Sequence, residues 1–250
     1  MDCFHNQISL NPNRKVEHVL ELARLIDHTL LKPDATQADI HRLIQEALAY
    51  RFVTVCVNGC WVELAAKQIH AAGADEGDLR VKVCGVVGFP LGASKGQVKA
   101  YEAVAAVRDG AREIDMVVSL GLLLDGRQSE VQSEIAEVVT AVKAERSDAL
   151  VKVILETAAL NEEQTRIGCQ AAKSAGADFV KTSTGFHPKG GATAQAVHWL
   201  VKYAPGLGVK ASGGIRDRAA AQAMIAAGAT RLGTSSGIAI SRGQASSQSY

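Results

Sequence analysis

The chain alternates between two hydrophobic rhythms. Ala-rich stretches of helical period end in Gly-Ala, and a short apolar run follows within a few residues, as in AAGADEGDLRVKVCGVVGF, RDGAREIDMVVSLG, SAGADFVKTSTGF and AAGATRLGTSSG. Gly73, Gly110, Gly176 and Gly228 suit the left-handed position just past a helix end. Each copy therefore predicts helix, tight turn, strand. Strands are expected near 25–29, 53–57, 81–87, 113–118, 150–156, 178–183, 208–212 and 231–235. Helices fall between them at 36–50, 60–72, 96–109, 129–145, 161–175, 192–203 and 216–227. Thr36 with Asp39 resembles a capping box, and Asp217 lies at the start of the last helix. Eight such units predict a single (β/α)8 TIM barrel, with a doubly wound open sheet as the alternative. No linker or composition break divides residues 1–250, so one domain is expected. Residues 1–20 form an extra N-terminal segment, expected as a helix or strap across the barrel bottom, and the polar run 242–250, ending in Tyr250, reads as a flexible tail.

Composition narrows the function. Lys+Arg total 27 against 26 for Asp+Glu, too even for a general nucleic-acid binder. No apolar run is long enough to span a membrane, and the N-terminus lacks the apolar core of a secretory signal. The five cysteines show no paired Cys-x-x-Cys spacing. Cys56, Cys60 and Cys84 lie in or beside apolar runs and read as buried thiols of a cytoplasmic protein. No histidine stands beside them at ligand spacing, so no metal site is expected.

Strands covered on both faces should be continuously apolar. Several here are interrupted by a charge: Lys82, Asp115, Lys152, Lys181 and Lys210. A lone strand lysine is ordinarily an ion-paired structural residue, and Lys82, near a strand start, is read that way. Lys152, Lys181 and Lys210 are each 29 residues apart, one βα unit, and are expected at similar heights. A barrel interior admits few side chains per layer, which brings these lysines within reach of Asp115. An amine attacks a carbonyl only when unprotonated, and burial beside a second cation favours that form. Lys181 is the candidate nucleophile, Lys210 its cationic neighbour and Asp115 the proton carrier, with Lys152 keeping Asp115 ionised. The loops after the seventh and eighth strands contain Gly213, Gly214, Gly233, Ser235 and Ser236, and Gly185 follows the sixth. Glycine-rich loops in this part of a barrel suit a phosphate. Together these features point to a small phosphorylated carbonyl compound.

FVKTSTGF around Lys181, GVKASGGIR around Lys210, GAREIDMVV around Asp115 and LVKVILET around Lys152 resemble the deoxyribose-phosphate aldolase family. IDHTLLKP, VCVN and GVVGFPLG add to the resemblance, which spans about residues 25–240. It implies reversible cleavage of 2-deoxy-D-ribose 5-phosphate to acetaldehyde and D-glyceraldehyde 3-phosphate. It also implies a Schiff base on Lys181, proton transfer by Asp115 and Lys210, no cofactor, and a homodimer or larger homo-oligomer. Some members carry a lysine after the TSTG glycine, where this chain has Phe186, with Lys189 three residues on.

Supporting candidates are Asp27, Thr182 and Cys56. Asp27 and His28 are expected to face the mouth, where a structural bond and substrate binding are both open, as they are for Thr182 and Asn58. Glu156 is a candidate to orient Lys152 or a water. Other Schiff-base barrels acting on larger sugars, and a non-catalytic phosphosugar-binding barrel, remain alternatives at this level.

Overall fold

The computed structural model describes residues 22–74, 77 and 80–244. The N-terminal segment 1–20 and Tyr250 lie outside the described residues. Eight parallel strands close into a barrel in chain order: β1 Ile26–Leu30, β2 Thr54–Val57, β3 Lys82–Val87, β4 Glu113–Val117, β5 Leu150–Ile154, β6 Phe179–Lys181, β7 Gly208–Ser212 and β8 Arg231–Thr234. The main helices are α1 Gln37–Tyr50, α2 Val62–Ala71, α3 Gly96–Arg108, α4 Leu120–Leu124, α5 Gln128–Glu145, α6 Glu162–Ser174, α7 Ala194–Tyr203, α8 Arg218–Ala226 and α9 Gly237–Arg242. This is the (β/α)8 barrel expected from the pattern. No described helix is long and apolar enough to cross a membrane.

Local chemistry sets the element ends. Thr36 accepts from Asp39 N–H while the Asp39 carboxylate accepts from Thr36 N–H at 2.9 Å, a complete capping box. Asp217 accepts from Ala220 N–H at 2.8 Å. Gly73, Gly110, Gly176 and Gly228 all take positive φ after their helices. At Gly110 and Gly228 a Cβ would also strike Ala66 and Val201, so these turns need glycine twice over.

Two strands end earlier than the apolar pattern suggests. β5 stops at Ile154, and Glu156 beyond it adopts φ 60°, ψ 54°. β6 stops at Lys181; just beyond it Thr182 N–H still donates to Lys210 O at 3.0 Å, and the Thr182 hydroxyl takes over by donating to Ser212 O at 3.0 Å. The short helices α4 and α9 were not anticipated. Arg242 closes α9 and donates to the Tyr50 hydroxyl at 2.6 Å, so it ends a helix instead of opening a tail.

Alternation along each strand separates two environments. Val55, Val83, Ile114, Met116, Val151, Val153, Val180, Val209 and Leu232 pack outward under the helices in one large apolar core. The opposite face holds a small apolar cluster of Leu31, Cys56, Cys84 and Val86. Val117, Ile154 and Phe179 share that inner face with the charged side chains of Asp27, Glu113, Asp115, Lys152, Lys181, Lys210 and Arg231.

Candidate active site

The barrel interior is an ion network centred on Asp115, which is fully buried. Its Oδ2 accepts from Lys181 Nζ and from Lys210 Nζ, each at 2.7 Å. Its Oδ1 accepts from Lys152 Nζ at 2.9 Å and from the Cys84 thiol at 3.2 Å. Below this layer, Lys152 meets Glu113 at 2.7 Å, and Arg231 Nη1 bridges Glu113 at 3.0 Å and Asp27 at 2.8 Å. The Asp27 carboxylate also pairs with Lys210. Lys82 forms the expected structural pair, 3.4 Å from Glu113.

The register explains the convergence. Lys181 lies opposite Lys210, and Asp115 opposite Lys152. Lys152, however, lies opposite Phe179, two residues below Lys181. The equal spacing therefore places only one lysine pair side by side. A two-residue offset preserves the face, so the long Lys152 side chain still reaches Asp115 from the layer beneath.

Electrostatics fixes most of the charges. Burial works against ionised Asp115, but Lys152, Lys181 and Lys210 outweigh it and hold the carboxyl well below the usual carboxylate range. Burial likewise opposes the charges of Lys210 and Lys152, and nearby carboxylates raise both above the usual lysine range: Asp115 and Asp27 for Lys210, Asp115 and Glu113 for Lys152. Asp27 and Glu113 are lowered against their own burial, chiefly by Lys210 and Lys152 respectively. Lys152, Lys181, Lys210 and Arg231 thus face Asp27, Glu113 and Asp115. Lys181 shares its Asp115 oxygen with Lys210. Lys181 is also the lysine that reaches the mouth: it keeps 3% exposure at the carboxyl end of β6, whereas Lys152 and Lys210 have none. Barrel active sites open at this end.

Stability should follow these shifts. The three carboxylates are depressed in the folded state, so their contribution is present above the unfolded values near pH 4 and is lost as pH falls through the folded ones. Lys152 and Lys210 are raised, so theirs is present below about pH 10 and is lost as pH rises further. The expected melting temperature is flat between about pH 5 and pH 9. A steep change inside that window, followed by calorimetry, would contradict this network.

Cys56 and Cys84 face each other in register, and their sulfurs lie with an Asp115 oxygen within 4.8 Å. Burial, a hydrogen bond with Cys56 and the Asp115 charge raise the Cys84 thiol, keeping it a donor; Cys56 is lowered, first by that hydrogen bond. Asp115 is already engaged by the amines of Lys152, Lys181 and Lys210. Cys60 is exposed, contrary to expectation, because the 3-10 turn Gly59–Trp61 carries it outward.

Three of the rim glycines lie in loops just past the ends of β6 and β7. Gly185, Gly213 and Gly214 have φ of 86°, 90° and 79°. A Cβ at Gly213 would lie 3.0 Å from Gly191 Cα and 3.2 Å from Gly185 Cα, so two loops interlock there, while Gly214 borders open space. Ser235 lines a cavity at the mouth of β1 and β8. The buried Ser236 hydroxyl, like that of Ser183, has no hydrogen-bond partner among the described residues.

Gly233 serves differently. It lies inside β8, where a Cβ would approach Lys210 Cε and Ser212 Cβ to 2.9 Å. It makes room for the Lys210 side chain rather than forming a phosphate loop. Gly233→Ala is expected to cost about 1–3 kcal/mol by overpacking and to lower turnover by displacing the ammonium. Chemical denaturation beside steady-state rates checks both.

Several other candidates have structural partners. Thr182 bonds the Ser212 backbone through both N–H and carbonyl at 3.0 Å, and Asn58 donates to Leu31 O at 3.2 Å. Asp27 points into the barrel, but His28, one residue on, faces outward and meets Glu46 at 2.7 Å. Glu156 bonds Thr184 instead of Lys152. Phe186 is exposed and packs edge-on against Phe89, and Lys189 is exposed. Glu113 and Arg231 belong to the ion network and were not singled out; Glu113 is two residues before Asp115, hence on the same face, which was a usable signal.

Residues 22–243 match the DeoC/LacD family of aldolases. The deoxyribose-phosphate aldolase of Enterococcus faecalis is 49% identical over 224 residues, covering 90% of this chain and 97% of that protein. That of Halalkalibacterium halodurans is 51% identical over 230 residues, covering 92% and 98%. Among solved structures, the tetrameric deoxyribose phosphate aldolase from Aeropyrum pernix superposes with a TM-score of 0.80 at 33% identity, over 93% of this chain and 97% of that one. The polar barrel interior thus sits in a chain related to aldolases along nearly its whole described length, and the chain belongs to the DeoC/LacD family of aldolases, which are lyases.

Proposed function

We propose that this chain is a deoxyribose-phosphate aldolase that works through a Schiff base on Lys181. The observation carrying this reading is that Lys181, alone among the three lysines around Asp115, reaches the mouth of the barrel while sharing Asp115 Oδ2 with Lys210. The neutral amine of Lys181 adds to the aldehyde carbon of open-chain 2-deoxy-D-ribose 5-phosphate, giving a carbinolamine. Loss of water gives an iminium. Removal of the C3 hydroxyl proton then breaks the C2–C3 bond, the electron pair moves into the iminium, and D-glyceraldehyde 3-phosphate leaves. The remaining enamine is protonated at C2, and water releases acetaldehyde and restores the amine.

Asp115 and Lys210 are the proton carriers. Asp115 is held as a base within 2.7 Å of both amines, and Lys210 is held as an acid. Lys152 and Asp27 keep the charges of this pair in place, Thr182 ties the end of β6 to β7, and Cys56 packs beside the Cys84 donor. The phosphate is met by the backbone at Gly185, Gly213 and Gly214 and by the hydroxyls of Ser235 and Ser236. The same reading makes the enzyme a cofactor-independent, single-domain subunit of a cytoplasmic homodimer or larger homo-oligomer. Its buried free thiols suit a reducing compartment.

Incubation with 2-deoxy-D-ribose 5-phosphate should yield acetaldehyde and D-glyceraldehyde 3-phosphate in equal amounts, with the rate unchanged by a chelator. Absence of either product overturns the proposal. Failure to condense acetaldehyde as donor would favour a larger-sugar aldolase.

A further inference from the structure

Glu156 stands where β5 gives way to the mouth, with a left-handed backbone at φ 60° and ψ 54°. An L-residue pays for that conformation in steric strain and keeps it only where its surroundings hold it. Arg51, the other non-glycine residue with positive φ among those described, ends a helix, where this conformation is ordinary. Glu156 lies two residues past the end of β5, at the entry to the 3-10 turn Thr157–Ala159, and its carboxylate is buried without a cationic partner among the described residues.

That carboxylate holds the loop after β6. It accepts from the Thr184 hydroxyl at 2.5 Å and from Thr184 N–H at 3.3 Å. The Thr184 oxygen in turn accepts from Phe186 N–H at 3.1 Å. Gly185 lies between these two anchored residues and abuts the Gly213 loop. Behind the loop, a cavity of about 290 Å³ bordered by Leu91, Val117, Leu120 and Phe186 leaves this side without close packing. The Thr184 hydrogen bonds therefore join the Phe186–Phe89 contact in setting the path of residues 184–186.

We propose that Glu156 is a positioning residue for the phosphate end of the substrate. It touches no reacting atom. Its strained backbone aims the carboxylate across to β6, and the clamp on Thr184 places the Gly185 backbone against the anion. The proposal rests on the assignment of the glycine rim to phosphate.

Glu156→Gly removes the carboxylate and tolerates the left-handed backbone. Thr184→Val removes the hydroxyl at nearly constant shape, and Thr184→Ser restores it. Each is assayed with 2-deoxyribose 5-phosphate and with unphosphorylated 2-deoxyribose. Loss of a hydrogen bond to a charged group predicts a KM for the phosphorylated sugar raised roughly tenfold or more in Glu156→Gly and Thr184→Val. The kcat for that sugar should change by less than about threefold, as should kcat/KM for the unphosphorylated one, and Thr184→Ser should recover most of the KM. Equal losses on both sugars, or no loss on either, overturn the proposal. Thr184→Val carries the test if Glu156→Gly does not fold, as judged by circular dichroism. Inorganic phosphate tests the rim separately: without competitive inhibition of the wild-type enzyme, the rim assignment itself fails, whatever the variants do.

Discussion

Lys181→Leu abolishes turnover, with an expected loss on the order of 10⁴-fold or more, as for removal of other covalent nucleophiles. The barrel should survive the change. Leucine suits a nearly buried site, and Asp115 keeps Lys152 and Lys210 as partners. The complementary measurement is trapping. Acetaldehyde and the wild-type amine form an imine with release of water, and borohydride delivers hydride to the imine carbon, leaving an N-ethyl lysine. Peptide mass analysis should locate it at residue 181. A modified Lys210 with an unmodified Lys181 would reverse the two roles. A Lys181→Leu protein that still turns over substrate would end the Schiff-base assignment.

Asp115→Asn should damage both rate and fold. Removing a proton carrier costs about 10²- to 10⁴-fold in rate. The structural cost is separate: Asp115 is the shared partner of three buried amines, and deleting one side of a buried ion pair costs roughly 3–5 kcal/mol. The two effects divide by pH. In the wild-type protein Lys152 and Lys210 are raised by their carboxylates. Without Asp115, burial favours their neutral forms, so the folded state binds fewer protons than the unfolded state and stability climbs as pH rises. Unfolding curves for Asp115→Asn at neutral and alkaline pH should therefore converge toward wild type at the alkaline end. A deficit independent of pH would mean that packing, not charge, is what Asp115 supplies.

The fold was legible because each βα unit repeats the same local chemistry. The four Gly-Ala turns, the capping box at Thr36 and the cap at Asp217 are decided within a few residues. The nucleophile was legible for a different reason: a lysine inside an apolar strand is costly enough to need company, and the candidate company lay on strands of the same kind. Spacing carried the reasoning only part of the way. Equal intervals along the chain count residues in helices and turns as well as in strands, so they paired Lys181 with Lys210 but left Lys152 one layer lower.

What escaped detection depends on contacts across the barrel. Glu113 and Arg231 stand at strand starts, where a charge resembles a solvent-facing end. Only closure brings the Arg231 guanidinium over Phe179 and between two carboxylates. Gly233 resembles a loop glycine in GTSSG, yet its role is set by the neighbouring strand's lysine. Glu156 and Thr184 are 28 residues apart, and no periodicity links them.

The division between an outer face packed under the helices and an inner face that carries the ion network also governs which changes of length the chain tolerates. Deleting one residue within β4, β5, β6 or β7 would rotate the rest of that strand by half a period. Asp115 or a lysine would then be driven under the helices while a valine entered the ion network. A deletion of two residues would retain the faces but drop the charge by a layer, separating Lys181 from Lys210. Single-codon losses in these four strands should therefore be far more damaging than equal losses in the turns between helix and strand. In this barrel, reading frame along the strand is as much a determinant of chemistry as residue identity.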